Sequence, residues 1–311
     1  MDNQVLYERY KELLGSVPEF LKKYLELDIL KRLTDVSIFC GMEYGSKNMY
    51  DFHAYISRFD HSLNTALITW KLTHDKKSTL ASLFHDVASP AFSHVIDFMN
   101  KDYIVQESTE EKTESIIINS KELIDMLLSD NIDIEDVIDY KKNSVVDSKR
   151  PHLCADRIEG IISVSIGWTN LMNEYLVSEI LDSLVLFENE EGEMEIGFNN
   201  REVAEKVVEI NREYNKRTNS INDYYMMNLM GKIINRCLSL NLFTMDDLYR
   251  FGEHEVIDII EDNKSLDVYL EDLWLEFKTT REVRITAMEP VKDKCINPLV
   301  LGYRLFQSIK S

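Results

Sequence analysis

Cysteine is scarce in this chain, four in 311 residues. Cys40, Cys154, Cys237 and Cys295 lie far apart and form no CxxC pair. That excludes a disulfide framework and a zinc ribbon, and the four read as free, mostly buried thiols of a reducing compartment. No stretch approaches the roughly 20 consecutive apolar residues needed to span a bilayer. The opening Met1-Asp2-Asn3-Gln4 lacks the basic-then-apolar pattern of a signal peptide, so the cytoplasm is the expected compartment. Internal repeats and low-complexity linkers are also missing.

Positive charge is in deficit, with 35 Lys and Arg against 55 Asp and Glu and a formal net charge of -20. Such a surface is unsuited to nucleic acid, which needs a basic face to displace counterions, and it does not favour an anionic membrane. An anionic small molecule would need a local Arg or Lys cluster, with the charge of a metal added, to overcome the global field. Arg58, Arg157 and the run from Arg212 to Arg217, with Lys216 inside it, are the candidates.

Against these absences, three segments stand out. Arg58-Phe59-Asp60-His61-Ser62 supplies one histidine, Phe84-His85-Asp86 an adjacent pair, and Ala155-Asp156-Arg157 a further aspartate. Leu63, Ala66, Leu67 and Trp70 follow His61 at helical spacing, so His61 falls in the first turn of an amphipathic helix. His85 and Asp86 close a second helical run, Leu80 to Phe84, and converge on one ion only if that helix end faces a cleft. Asp156 lies in a third apolar helix, where a buried carboxylate needs a partner or a metal. Imidazole and carboxylate together suit a divalent first-row transition ion, so His61, His85, Asp86 and Asp156 form a candidate metal site.

The ordered set resembles the H…HD…D pattern of the HD-domain phosphohydrolases. Arg58 to Leu63 is similar to the R-F-[ED]-H-S-L segment of the branch that cleaves deoxynucleoside triphosphates, which includes the bacterial dGTPases and the sterile-alpha-motif/HD enzyme. His85 to His94 resembles its H-D-[LI]-G-H-G-P-F-S-H, and Cys154 to Glu159 its D-[RK]-[LFW]-D segment. The similarity spans roughly residues 30 to 165. Ser89 stands where the branch has a histidine credited with catalysis, and Glu107 to Lys112 lacks the branch's later histidine.

The resemblance implies a metal-dependent phosphohydrolase acting on a nucleotide, with a dNTP losing triphosphate as one form of the reaction. One divalent ion, Mn, Fe, Co or Ni with Mg also open, would be held by the four ligands. Asp86 and His94 would be catalytic. Arg58 and Arg157 would neutralise phosphate, Lys216 or Arg217 with Tyr224 or Tyr225 would contact the nucleotide, and the chain would form a homo-oligomer. The missing histidines keep open an alternative, a catalytically weak metal- and nucleotide-binding regulatory protein.

The rest of the chain is expected to be mainly α-helical, an HD-domain helical fold over residues 1–182 with a smaller C-terminal lobe over 183–311. Two helices are expected within Val5 to Leu33, then an irregular connection from Thr34 to Tyr50, read as a surface loop or as pocket lining. Pro90 is expected in a helix's first turn with His94 one turn further in, and Pro151 with His152 at the start of the Asp156 helix. Ser183 to Glu188 and Glu193 to Phe198, around a Gly192 turn, read as a β-hairpin. Asn199-Asn200 caps the next helix, Tyr224 to Leu240 forms another, and Glu282 to Met288 alternates like an edge strand.

Overall fold

Ser57 opens the helix on which the rest of the site depends. Its hydroxyl accepts the Asp60 amide at 3.0 Å, satisfying one of the first-turn N–H groups that have no intrahelical partner, and the helix runs Arg58–Thr73. Asp75 does the same for the next helix, Lys76–Phe84, by accepting the Ser78 amide at 2.8 Å. These two helices pack together, and a third, Ala155–Val164, lies against the first. The computed structural model describes residues 2 to 306. It is mainly α-helical with one small sheet.

The hairpin forms where alternation placed it. β1 (Leu184–Glu188) and β2 (Met194–Phe198) pair antiparallel, with Leu184 opposite Phe198. In the turn, the Asn189 side chain accepts the amides of Glu191 and Glu193, each at 3.0 Å, and Gly192 takes a φ of +79°, which a glycine adopts without steric cost. β3 (Leu299–Val300) joins β2 in parallel and β4 (Tyr303–Arg304) pairs with β3, in the order β1-β2-β3-β4. A Cβ at Gly197 would stand 2.5 Å from the Leu299 carbonyl oxygen, so this close approach of β3 requires glycine.

Asn200 caps the Arg201–Thr218 helix and Ser220 the Ile221–Ser239 helix. The largest cluster of buried apolar side chains runs from Leu6 to Leu305 and so draws on both sides of residue 182. A second runs from Leu21 to Val137. Cys40, Cys154 and Cys237 are buried and Cys295 is exposed, all four as free thiols. Among the described residues no helix is long and apolar enough to cross a membrane.

Three local expectations are corrected. Glu282 to Met288 pairs with nothing: residues 280–298 have no regular structure, and the place beside β2 is taken by β3. Val283 and Ile285 are half-buried between exposed neighbours, so the alternation reports an extended strap lying on the surface rather than a strand. Pro90 sits in a turn and the helix begins only at His94, because Phe92 and Ser93 both take positive φ. Pro151 and His152 likewise precede the helix that begins at Ala155.

The connection from Thr34 to Tyr50 is largely buried. Within it, burial pushes the Glu43 carboxyl above its ordinary range, against the Ser37 hydroxyl that donates to it and the pull of Lys47 and His254. Glu253, raised by burial and by Glu43, faces the same pocket of charge. A raised folded-state pKa means that the folded chain holds a proton the unfolded chain has released, so stability is full below the ordinary Glu value and falls as pH rises through the raised one. Thermal unfolding is therefore expected to occur at lower temperature at pH 8 than at pH 5. Glu43→Gln should flatten the dependence by about 1.4 kcal/mol per unit of upward shift. An unchanged pH profile in Glu43→Gln would count against this assignment.

Candidate metal centre and its cavity

His61 and Asp156 come from two packed helices, while His85 and Asp86 come from the point where the Lys76–Phe84 helix ends. There the Val87 amide bonds back to Phe84 O and the Ser89 amide to Asp86 O, so the chain turns. That turn is what lets two sequence neighbours face one point. His61 Nε2 lies 3.1 Å from Asp156 Oδ1 and 3.7 Å from Asp86 Oδ2. His85 Nε2 lies 3.6 Å and 3.9 Å from the same two atoms. Ligand atoms about 2.1 Å from a shared ion stand about 3 to 3.5 Å apart, so small adjustments would close this set on a metal.

The hydrogen bonds around the two imidazoles agree with that use. His85 Nδ1–H donates to Ser82 O at 2.6 Å, so that in the neutral ring Nε2 carries the lone pair, and that atom is buried with no hydrogen-bond partner. A buried nitrogen of this kind costs free energy unless something occupies its lone pair. His61 Nδ1–H donates to Glu159, a fully buried carboxylate that also accepts from Asn64 at 3.1 Å and from Ser163 at 2.5 Å. Ligating histidines are commonly oriented by such a carboxylate. Sequence reasoning missed Glu159. The signal was there: Asp156 and Glu159 are three apart on one helix and so share a face.

Burial opposes charge on His61, but Glu159, Asp156 and Asp86 outweigh it and hold its pKa well above the ordinary value. Burial would raise the carboxyls, yet Asp86, beside Arg58 and both histidines, and Asp156, bonded to His61 and facing His85, are held well below the usual range. The site therefore carries two ionised carboxylates beside two histidines whose charged form those carboxylates favour.

Two other groups of metal-ligating side chains lie nearby. Asp147, Cys154 and Asp156 are crossed by Arg157, whose guanidinium lies 3.2 Å from Asp147. His152, Glu190 and Glu195 surround Arg304, which pairs with both glutamates at 2.5 to 2.8 Å. A cation already fills each, and His152 belongs to the second of them.

The first site opens into a cavity of about 740 Å³. His94 lines it, donates Nδ1–H to the fully buried Asp97 at 2.9 Å, and has a pKa lowered by burial, Lys294 and Arg58 against the pull of Asp97. It is a neutral imidazole with Nε2 as acceptor. Arg58 donates to Asp86 at 2.6 Å and to Ser93 Oγ at 3.0 Å. Arg157 donates to the carbonyls of Ser148, Lys149 and His152 as well as to Asp147. Both arginines line the cavity, but their donors are employed in holding Asp86 and the 147–152 loop.

Lys216 and Tyr224 do not line the cavity. The Lys216 side chain is 79% exposed and 3.7 Å from Glu213, and Tyr224 packs its ring against Phe98 and Tyr103. Nor do Arg217, which lies over the Trp168 ring, and Tyr225, bonded to Glu276, reach it. The cations that do are Lys141, Lys149, Arg150, Lys292 and Lys294, which sequence reasoning passed over. Two of them ride on the 280–298 strap, which is tied down by the Lys292 amide on Tyr103 O and the Lys294 amide on Asn215. With Arg58 and Arg157, seven Lys and Arg line the cavity against six Asp and Glu, whereas the whole chain carries 35 against 55. The local balance is thus the reverse of the global one.

No family model matches the chain. A stretch of 105 residues is 30% identical to the uncharacterized protein YdhJ of Bacillus subtilis (strain 168), covering 33% of this chain and 32% of that protein. The match therefore spans about a third of the relative's length, and its name assigns no activity.

Proposed function

We propose that this chain is a metal-dependent phosphohydrolase of the HD type acting on a nucleotide. The reading rests above all on His85 Nε2, a buried nitrogen without a hydrogen-bond partner, facing His61, Asp86 and Asp156 in a cavity whose lining balances seven Lys and Arg against six Asp and Glu within an acidic chain. Those four residues would hold one divalent ion, Mn, Fe, Co or Ni, with Mg also open. When bound, the ion would supply Lewis acidity toward a phosphoryl oxygen and toward water.

The chain's own residues would do the rest. Arg58 fixes the Asp86 carboxylate, and Glu159 fixes the His61 ring with Nε2 toward the site. His94, neutral and anchored by Asp97, would take a proton at Nε2 from the attacking water. This differs from the protonating role the resemblance suggests. Lysines 149 and 294, together with Arg150, would balance the charge of the remaining phosphates. Following the resemblance, the substrate would be a dNTP losing triphosphate and the active form a homo-oligomer.

The test is product analysis of purified protein with Mn, Co or Mg and a panel of nucleoside mono-, di- and triphosphates, beside Asp86→Ala. Release of triphosphate by wild type alone supports the reading, and phosphate from monophosphates would move it to a nucleotidase. His94→Gln is expected to retain metal and lose roughly two to four orders of magnitude in turnover, as when a general base is removed. Full activity in that variant would reject the role given to His94.

One observation favours a second reading. Ser89 replaces a histidine of the resembling branch, and its hydroxyl donates to Asp86 Oδ1 at 3.3 Å, so it offers no titratable group. A protein that binds one metal per chain and nucleotide tightly, yet releases no product, would be a regulatory binding module instead.

A further inference from the structure

The segment that joins Asp86 to His94 contains neither helix nor strand. Within it Phe92 takes a φ of +65° and Ser93 one of +35°. Left-handed backbone is uncommon for any residue but glycine and an outlier for a bulky one. Two such residues in succession persist only where their surroundings over-determine them, and positions of this kind cluster at functional sites.

Three contacts fix this turn. The Phe92 ring is fully buried and lies so close to Gly41 that a Cβ there would stand 2.3 Å from Phe92 Cδ1. Arg58 Nε donates to Ser93 Oγ at 3.0 Å while its Nη1 donates to Asp86 at 2.6 Å, so one guanidinium bridges the turn and the metal cluster. The third comes from far along the chain. The successive amides of Ala91 and Phe92 donate to Leu248 O at 2.8 Å and to Glu253 Oε1 at 3.1 Å.

Glu253 is the first residue of the Glu253–Asn263 helix. Asp35 anchors that end, accepting the His254 amide at 3.2 Å and lying so near Gly252 that a Cβ there would stand 2.0 Å from Asp35 Oδ2. The Glu253 side chain is fully buried, and its Oε2 has no hydrogen-bond partner. A carboxyl taken out of water to serve backbone amides, with one oxygen left over, is a poor source of stability. What its bond secures is the place of the Phe92 amide, in the same turn as His94. Burial, and then Glu43, raise the Glu253 carboxyl well above its ordinary range against the amides of Phe92 and Ser37, which favours the neutral acid. A neutral acid accepts on its carbonyl oxygen, which a glutamine side chain also carries.

We propose that Glu253 is a positioning residue for His94, because by holding the Phe92 amide it fixes the left-handed turn from which the His94 ring enters the cavity. This deepens the hydrolase reading above and rests on the role given there to His94.

The test compares Glu253→Leu, Glu253→Gln and Glu253→Asp in the full chain with Mg. Leucine fills the space without an acceptor, glutamine keeps the acceptor oxygen, and aspartate keeps the carboxyl but shortens its reach. Nitrogen NMR of histidine-labelled protein, with His94 assigned by its loss in His94→Gln, should show the His94 ring signals displaced in Glu253→Leu and restored in Glu253→Gln. Those of His61 and His85 should stay in place. Turnover should fall about 100-fold in Glu253→Leu, as for a misplacement of about 1 Å, with KM and metal content unchanged, and return in Glu253→Gln. If the leucine variant does not fold, Glu253→Asp should displace the same signals. Wild-type His94 signals and kcat in folded Glu253→Leu or Glu253→Asp would make Glu253 a structural acid only and overturn the proposal. A glutamine variant as impaired as the leucine or aspartate one overturns it too. Absence of nucleotide turnover in wild type would instead defeat the hydrolase reading, and the His94 signals alone then decide whether Glu253 places the ring.

Discussion

Asp86→Ala is expected to abolish stoichiometric metal binding and, in metal-free buffer, to lower the unfolding free energy by about 3 to 5 kcal/mol. The second effect comes from Arg58. Its guanidinium belongs to a residue only 8% exposed and donates to Asp86 at 2.6 Å. Its other hydrogen bond goes to the neutral Ser93 hydroxyl. Removing the carboxylate leaves a buried cation without its close counter-charge, which costs far more than the hydrogen bond itself. Asp156→Ala provides the contrast. The Asp156 side chain is 36% exposed, and His61 keeps Glu159 as a partner when Asp156 is gone. That variant should also lose the metal, at a stability cost of about 1 kcal/mol. Metal content by elemental analysis and urea unfolding with chelator present separate the two effects, since chelator removes any stabilisation through metal linkage. Equal destabilisation by the two substitutions would refute the account of Arg58.

Glu159→Gln should weaken metal binding by about 10- to 100-fold without touching a ligand. Three donors, from His61, Asn64 and Ser163, now converge on the Glu159 carboxylate. A glutamine offers one acceptor oxygen and two further N–H donors in that space, so at least one donor must turn away. The group most affected is His61, because without a carboxylate on Nδ1 the ring is no longer held with Nε2 toward Asp86 and Asp156, the orientation in which a metal would deprotonate and bind that nitrogen. Nitrogen NMR of the histidine ring reads the tautomer directly. A wild-type-like tautomer together with wild-type affinity would show that Glu159 is a structural acid only. Glu159→Leu goes further by leaving three buried donors unsatisfied, at about 1 to 3 kcal/mol for each. Its comparison with the glutamine variant separates folding from ligation.

Local chemistry settled much of this protein in the sequence alone. Apolar spacing of 3.6 residues marked the helices bearing His61 and Asp156, and strict alternation marked β1 and β2 around Gly192. The order of His61, His85, Asp86 and Asp156, with their donor types, marked residues that packing brings together in a cluster able to hold a metal ion. These features depend on residues within one or two turns of each other, which a linear reading covers. Where neighbours alone could not decide, the reading fell short. Glu282 to Met288 has a strand's alternation, but a strand also needs a free edge, and β3 already occupies the one beside β2.

Only the tertiary structure decided which residues share the cavity. Glu159 meets a histidine 98 positions away, and Asp223 meets a tyrosine 173 positions away. Lys292 and Lys294 reach the site on a strap without regular structure, while Lys216, in a more conspicuous basic run, faces solvent. The reason is physical. Hydrogen bonds and charge pairs act over a few ångströms of space, and distance along the chain does not limit which groups packing brings that close.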